Sequence, residues 1–130
     1  QTMKRLWISA ALILSLALLA GCHVLYLGRL TGELVDLLDQ AQEQVLQDDW
    51  SQAEALTSQA LKLWQRHEFY LHSTMRHNDI DTVLVAFHEV LDFLEGQERQ
   101  PAEYAAANRR LTTQLELLLE SELPTLQNLL

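Results

Sequence analysis

The chain has 130 residues, 48% of them hydrophobic, and a formal net charge of -9 at pH 7. Three of its nine basic residues, Lys4, Arg5 and Arg29, precede Leu30, whereas all eighteen acidic residues follow it. The part of the chain after Leu30 is therefore strongly acidic, which argues against nucleic acid and anionic lipid headgroups as its partners.

An uncharged apolar segment runs from Leu6 to Leu27, directly after Lys4 and Arg5. About 22 residues are enough to cross a bilayer core of about 30 Å as a helix. Because flanking basic residues stay in the cytoplasm, we predict an uncleaved signal anchor in the cell membrane with a cytoplasmic N-terminus. Residues 1–5 would be a cytoplasmic stub, 6–27 a single transmembrane span and 28–130 an extracytoplasmic helical domain on the outer face.

A second interpretation of the same segment is a bacterial lipoprotein signal. Leu19-Ala20-Gly21-Cys22 has the small residues and the cysteine of a lipobox, so the signal would end at Gly21 and Cys22 would be lipidated. A lipidated cysteine is normally followed by a polar, flexible tether, but the residues from His23 to Leu27 stay apolar. We therefore favour the anchor. Since Cys22 is the single cysteine, no intramolecular disulfide is expected.

The apolar pattern continues beyond the predicted span without a proline or a turn cluster. Spacings of three and four are typical of one helix face. We predict one helix from about Lys4 to Gln47, spanning roughly 66 Å and leading from the membrane into the domain. The residues on this face are Leu27, Leu30, Leu34, Leu37, Leu38, Ala41 and Val45.

A second helix is predicted to begin at Trp50, with Asp48 and Asp49 supplying cap oxygens. Its apolar stripe is formed by Trp50, Ala53, Thr57, Ala60, Trp64, His67 and Leu71. The region from about residue 34 to 67 resembles one tetratricopeptide-repeat hairpin, in which small residues let antiparallel helices approach closely. Because the unit occurs once, it predicts a helical hairpin and not a repeat array.

Two further helices complete the predicted fold. The third is expected to start with Asn78 or Asp79 as its cap and to end at Gly96. The fourth is expected to start at Pro101 and to end at Pro124. Their inward faces are Ile80, Val83, Leu84, Phe87, Leu91 and Leu94, and Tyr104, Leu111, Leu115, Leu118 and Leu119. We expect an all-α protein, with the transmembrane helix continuous with the first helix of a small antiparallel bundle of about four helices.

Several features along the chain are typical of one bacterial family. They are the basic N-terminus with a single apolar span, Asp49-Trp50, Trp64 followed by His67, Tyr70-Leu71-His72, His77-Asn78-Asp79-Ile80-Asp81 and Leu126-Gln127-Asn128-Leu129. Together they resemble the family called domain of unknown function 4363, and the resemblance covers nearly the whole chain. It implies a small, single-pass, mostly helical protein and supplies no activity or site residue. Gly21-Cys22 departs from the plain apolar span expected there, which keeps the lipid interpretation open.

A cluster of histidines and carboxylates is the feature that most invites a metal or catalytic interpretation. Its members are His67, His72, His77, Asp79, Asp81 and His88. A helical metal site uses ligands three or four residues apart, whereas the first three histidines are separated by five, or about 140° around a helix. We therefore expect no cofactor. His67 should pack at the rim of the core beside Trp64, His72 should be exposed, and His77 should form a capping network with Asp79 and Asp81.

The two tryptophans of the second helix are expected to lie in the core, because aromatic residues at helical spacing among alanines usually pack there. A partly exposed Trp50 or Trp64 would instead mark a binding groove for a partner. We expect a noncatalytic interaction module and not an enzyme, with another membrane or envelope protein as its partner or with self-association through the first helix. The alternative is a metal- or histidine-dependent enzyme with its site at the bend from His77 to Asp81.

Overall fold

The computed structural model describes residues 2–129, with side chains from Thr2 to Leu123. This part of the chain forms five helices and contains no strand. They are α1 (Thr2–Leu46), α2 (Trp50–Arg66), α3 (Glu68–Thr74), α4 (His77–Glu95) and α5 (Pro101–Leu129). The predicted all-α class is confirmed.

The four long helices form an antiparallel bundle. Helix α1 packs against α2 and α5, and α4 packs against the same two neighbours, so α1 and α4 lie diagonally opposite each other. The short α3 joins α2 to α4 at one end. We call this the proximal end, where α1 enters the bundle at His23, and we call the opposite end, with the α1–α2 and α4–α5 turns, the distal end.

Helix α1 is continuous over 45 residues, as the sequence predicts. Its first part is apolar and exposed: Leu6 and Trp7 are 71% and 74% exposed, and Leu19 is 67% exposed. From Leu27 onward the same helix supplies the core, with Leu27, Leu34 and Leu38 completely buried. One helix therefore has two environments, and the change between them falls near His23.

The turn between α1 and α2 explains why two aspartates precede Trp50. Asp48 has a φ of 61°, in the left-handed region that aspartate adopts more readily than most residues. Its Oδ1 accepts a hydrogen bond from Trp50 Nε1 at 3.0 Å. Asp49 is the N-cap of α2, because its Oδ1 accepts from the main-chain N–H of Gln52 at 3.1 Å.

The predicted α1–α2 hairpin is present. Ala41, Ala53 and Ala60 are completely buried, so the small side chains lie inside the bundle, where helices approach each other. Leucine or phenylalanine at these positions would separate the helix axes. The pattern of small residues thus positions the two helices that line the groove described below.

The structure corrects the predicted ends of two helices. The apolar stripe predicted one helix as far as Leu71, but α2 ends at Arg66 and α3 starts after His67. His67 has φ and ψ of -102° and 2°, which interrupts the helix. Helix α4 starts at His77 with Arg76 as its N-cap, so Asn78 and Asp79 lie in its first turn and do not cap it. The break at His67 turns α3 toward α1, a tertiary requirement that local periodicity does not express.

Helix α5 begins at Pro101 as predicted, but Pro124 does not end it. Proline in a helix removes one backbone hydrogen bond and can kink the helix, yet it does not force the chain to leave it. The predicted packing of the tail after Leu123 lies outside the described side chains. Gly96, in contrast, follows the last residue of α4 as predicted.

Candidate functional site

Two His-x-x-Tyr segments meet at the proximal end. His23 and Tyr26 lie on α1, and His67 and Tyr70 lie at and just after the α2–α3 break. His23 Nδ1 is 2.6 Å from the Tyr70 hydroxyl, and the Tyr26 hydroxyl is the hydrogen-bond partner of His67 Nδ1. Each histidine therefore pairs with the tyrosine of the other segment. We call these four residues, together with Glu122, the proximal cluster.

Both ring nitrogens of His23 have a polar partner. Burial raises the pKa of the Tyr70 hydroxyl above its ordinary value, and the charge of Glu122 contributes to this, so the hydroxyl stays protonated and can donate to His23 Nδ1. His23 Nε2 lies 3.5 Å from Glu122 Oε2. In this arrangement one ring nitrogen of His23 faces the Tyr70 hydroxyl and the other faces the Glu122 carboxylate. Three elements, α1, α3 and α5, are joined by this chain of polar groups.

The rings of the proximal cluster also pack on one another. The Tyr26 and Tyr70 ring centroids are 4.5 Å apart at 58°, and those of Tyr26 and His67 are 5.3 Å apart in an edge-to-face arrangement. Such geometry is favourable for aromatic pairs. The cluster is half-buried, and Cys22 beside it is exposed.

Of the histidines considered in the sequence analysis, the structure brings only His72 and His77 together. His67 is half-buried and is bound to Tyr26, as given above. His72 is exposed as expected, and its Nδ1 lies 3.0 Å from Nδ1 of His77. The expected capping network of His77 with Asp79 and Asp81 is wrong, because His77 turns toward α3 and pairs with His72.

The remaining metal candidates lie apart from this pair. Asp79 lines a small cleft with Gln114 and Ser121 on α5, Asp81 is exposed near Val85, and His88 is exposed further along α4. In the described residues, no group of three or more histidine, cysteine, aspartate or glutamate side chains could hold a metal ion. The pair of His72 and His77 offers two ligands, whereas a structural zinc site uses four.

Both tryptophans proposed as interaction candidates are buried. Trp64 is completely buried, and its ring lies 6.5 Å from that of Phe87. Trp50 is 5% exposed, with Tyr104 against it edge to face and the guanidinium of Arg99 5.0 Å from its ring centroid. Their packing is that of core residues and does not present either ring to a partner.

A groove lies on the surface of the α1–α2 hairpin and is lined by both helices. It encloses about 400 Å³ and combines carboxylate, amide and aliphatic groups. Its lining residues are Glu33, Asp36, Leu37 and Gln40 on α1, and Gln59, Leu63 and Arg66 on α2. This combination suits the binding of a segment that has both apolar and basic side chains.

The sequence analysis missed His23, Tyr26, Tyr70 and Glu122. The repeated His-x-x-Tyr spacing was the available signal, since residues three apart share a helix face. It was hidden because the first copy ends the apolar segment and looks like part of the span. Glu122 gives no local signal, because its role depends on where α5 meets α1.

Among the comparisons with known proteins, the family comparison gives a match and the other two give none. Comparison with curated proteins gives no significant match, and comparison with solved structures gives none either. The sequence model of the family described as domain of unknown function (DUF4363) matches residues 22–129. That range starts next to His23, where the bundle begins, and includes the bundle part of α1 and all of α2 to α5. The chain therefore belongs to the DUF4363 family.

Proposed function

We propose that the protein is a noncatalytic interaction module that α1 holds at the outer face of the cell membrane. The observation that carries this proposal is the exposed apolar first part of α1. It is long and apolar enough to cross a membrane, and none of the residues in its apolar stretch of 18 is buried within the described part of the chain. A contiguous apolar surface of this size is unfavourable in water and is covered by lipid when it spans a bilayer.

The orientation follows from the charges that flank the apolar segment. Lys4 and Arg5 precede it, and basic residues next to a span stay on the cytoplasmic side. The bundle then lies on the opposite side. Because α1 continues without a break into the core, the proposed span and the first helix of the bundle are one continuous helix.

The α1–α2 groove is the surface that we assign to a protein partner. Glu33 and Asp36 give it negative charge, and Leu37 and Leu63 give it an apolar floor. Charge complementarity favours a basic, amphipathic segment of another membrane or envelope protein. Arg66 at one edge would restrict the register of such a segment.

Membrane attachment is tested on the full-length chain by fractionation. We expect the protein to remain in the membrane fraction after washes with high salt and with alkaline carbonate, and to be released by detergent. A C-terminal alkaline phosphatase fusion, which is active only outside the cytoplasm, should be active. Recovery of the untreated chain in the soluble fraction would contradict the attachment, and an inactive fusion would contradict the orientation.

The alternative attachment is a lipid on Cys22, which is exposed and stands directly before the first residue of the bundle. Intact-mass measurement separates the two cases. With the anchor, the chain keeps the residues before Cys22, and Cys22→Ser changes the mass only by the substitution. A shortened chain with a lipid adduct that is lost in Cys22→Ser would establish the lipoprotein interpretation.

Partner binding is tested by photo-crosslinking in cells from a reactive residue at Gln59, inside the groove. Any crosslinked product should disappear in a Glu33→Lys, Asp36→Lys double variant, because the groove then repels a basic segment. A Glu103→Lys, Glu116→Lys double variant, at exposed positions on α5, serves as the charge-matched control and should leave the product unchanged. A product that is insensitive to the groove variant would contradict this surface.

A further inference from the structure

The continuity of helix α1 determines which part of the bundle faces the membrane. The residues of α1 from Thr2 to Leu19 are exposed apart from the half-buried Ala17, and the bundle begins about one turn later at His23. The proximal end must therefore lie at the bilayer surface if the first part of α1 spans the bilayer. The inference below rests on this proposed membrane attachment.

Helix α3 lies at the proximal end, beside the point where α1 enters the bundle. Tyr70 contacts His23, and His67 contacts Tyr26, so α3 is held at the level where α1 leaves the bundle. Leu71 is completely buried and faces the core. The opposite side of α3 is thus directed away from the bundle at its proximal end.

That opposite side carries Phe69, which is 86% exposed. Its neighbour Tyr70 uses its ring and hydroxyl to contact α1, whereas the Phe69 ring packs against none of the described aromatic side chains. On α1, Leu25 is 72% exposed at the same level. Two large apolar side chains therefore continue the apolar surface of the span onto the bundle.

The charge distribution permits this end to approach lipid. The distal turns carry Asp48, Asp49, Glu95 and Glu98 with Arg99 as the nearby basic residue. Like charges there would be repelled by an anionic surface. The distal end is thus the less suitable one.

The proximal end is less acidic than the distal end. Arg66 and Arg76 flank α3, and the acidic residues near them are Glu68, Asp79 and Glu122. Arginine side chains can contact lipid phosphates while their stems cover apolar surface. The excess of acidic residues is therefore smaller at this end than in the domain as a whole.

We propose that α3 rests on the lipid surface of the membrane that α1 spans, with the Phe69 ring inserted among the headgroups and upper acyl chains. This contact fixes the rotation of the bundle about the α1 axis as well as its height. The α1–α2 groove would then be presented at a constant angle to the membrane. An aromatic residue at this depth is in the region where amphipathic helices place their apolar side chains.

The experiment is site-directed spin labelling of the full-length chain in vesicles of phosphatidylethanolamine and phosphatidylglycerol. The background is Cys22→Ser, and single labels are attached in Phe69→Cys, Leu46→Cys and Leu14→Cys. Leu46 is the matched control, because it is 81% exposed but lies at the distal end of α1, about 35 Å from His23. Leu14 lies inside the proposed span and reports the signal of a lipid-exposed position.

The collision rates of each label with lipid-soluble oxygen and with a water-soluble nickel chelate give its depth. We expect the oxygen-to-nickel ratio at residue 69 to be several-fold larger than at residue 46 and to approach that at residue 14. A ratio equal to that at residue 46 would overturn the proposal, as would a label at residue 69 that is shielded from both reagents, since a protein partner or a second copy would then cover it.

Flotation of the same vesicles separates this inference from the proposed function. If the Cys22→Ser chain does not float with lipid, the anchor is wrong and the docking of α3 is refuted with it. If the chain floats and residue 69 is open to water, the anchor stands and only the docking is wrong.

Discussion

His23 on α1 and Tyr70 on α3 are 47 residues apart in the chain, yet His23 Nδ1 and the Tyr70 hydroxyl are separated by 2.6 Å. The reciprocal pair of Tyr26 and His67 lies beside them. We expect the two pairs to hold α3 on α1. In the full chain, His23→Ala and Tyr70→Phe should each destabilise the bundle, and the double variant should lose less than the sum.

The coupling in this double-mutant cycle should be about 0.5–1.5 kcal/mol, the range of one partly buried hydrogen bond. Urea unfolding in detergent, followed by tryptophan fluorescence, measures it, because Trp64 lies in the core. Strict additivity of the two substitutions would contradict a direct interaction between these side chains.

A buried amide joins α5 to α1 in the middle of the bundle. Asn108 is 1% exposed, and its Nδ2 donates to the main-chain oxygen of Leu38 at 3.2 Å and to Gln42 Oε1 at 3.1 Å. Asn108→Ala should lower the free energy of unfolding by about 1–3 kcal/mol, because it removes both bonds and leaves a cavity. Asn78→Ala, at an exposed position on α4, should change it by less than about 0.5 kcal/mol. Equal effects of the two substitutions would show that the buried amide contributes nothing specific.

The Tyr104 hydroxyl is buried and has no hydrogen-bond partner among the described side chains and backbone. An unpaired buried hydroxyl is unfavourable by roughly 1–3 kcal/mol. Tyr104→Phe should therefore be at least as stable as the parent chain at neutral pH. Tyr70→Phe is the control, since its hydroxyl is paired and its loss should be destabilising.

The raised pKa of Tyr104 predicts that the bundle loses stability at alkaline pH. Burial raises the pKa of Tyr104 from 10.0 to about 12, and the charge of Asp39 contributes. Below the pKa of the unfolded state, Tyr104 is protonated in both states. Between that pKa and the pKa of the folded state, the unfolded chain has released a proton that the folded chain keeps, so the free energy of unfolding falls as pH rises, by up to about 3 kcal/mol. Unfolding curves of the parent and of Tyr104→Phe at increasing pH should diverge in this window, and parallel pH profiles would contradict the shift.

The close contact of helices inside the bundle is tested at Ala60, which is completely buried on α2. Ala60→Glu forces a charge and additional volume into the core, and we expect a loss of at least about 4 kcal/mol or failure to fold. Ala55→Glu on the same helix is exposed and should be nearly neutral. Circular dichroism and urea unfolding of both variants measure the difference. If Ala60→Glu unfolds like the parent, the helices do not pack through this face.

The sequence by itself determined the elements that depend on local chemistry. The spacing of leucines from Leu27 to Val45 predicted α1, the Asp48-Asp49 pair predicted the start of α2, and Pro101 predicted the start of α5. Each of these signals acts within one or two turns of helix, through side-chain periodicity, an amide cap or a fixed φ angle. The family also followed from residues that can be read in order along the chain.

The tertiary structure alone decided how distant residues meet. It ended α2 at Arg66 because α3 must turn toward α1, and it made His23 a partner of Tyr70 when the sequence showed only the end of an apolar segment. Glu122 entered the proximal cluster because α5 packs antiparallel to α1 and brings its later part to the level of His23. These contacts depend on the relative position of packed helices, which is set by the shapes of many core side chains together and by no single local pattern.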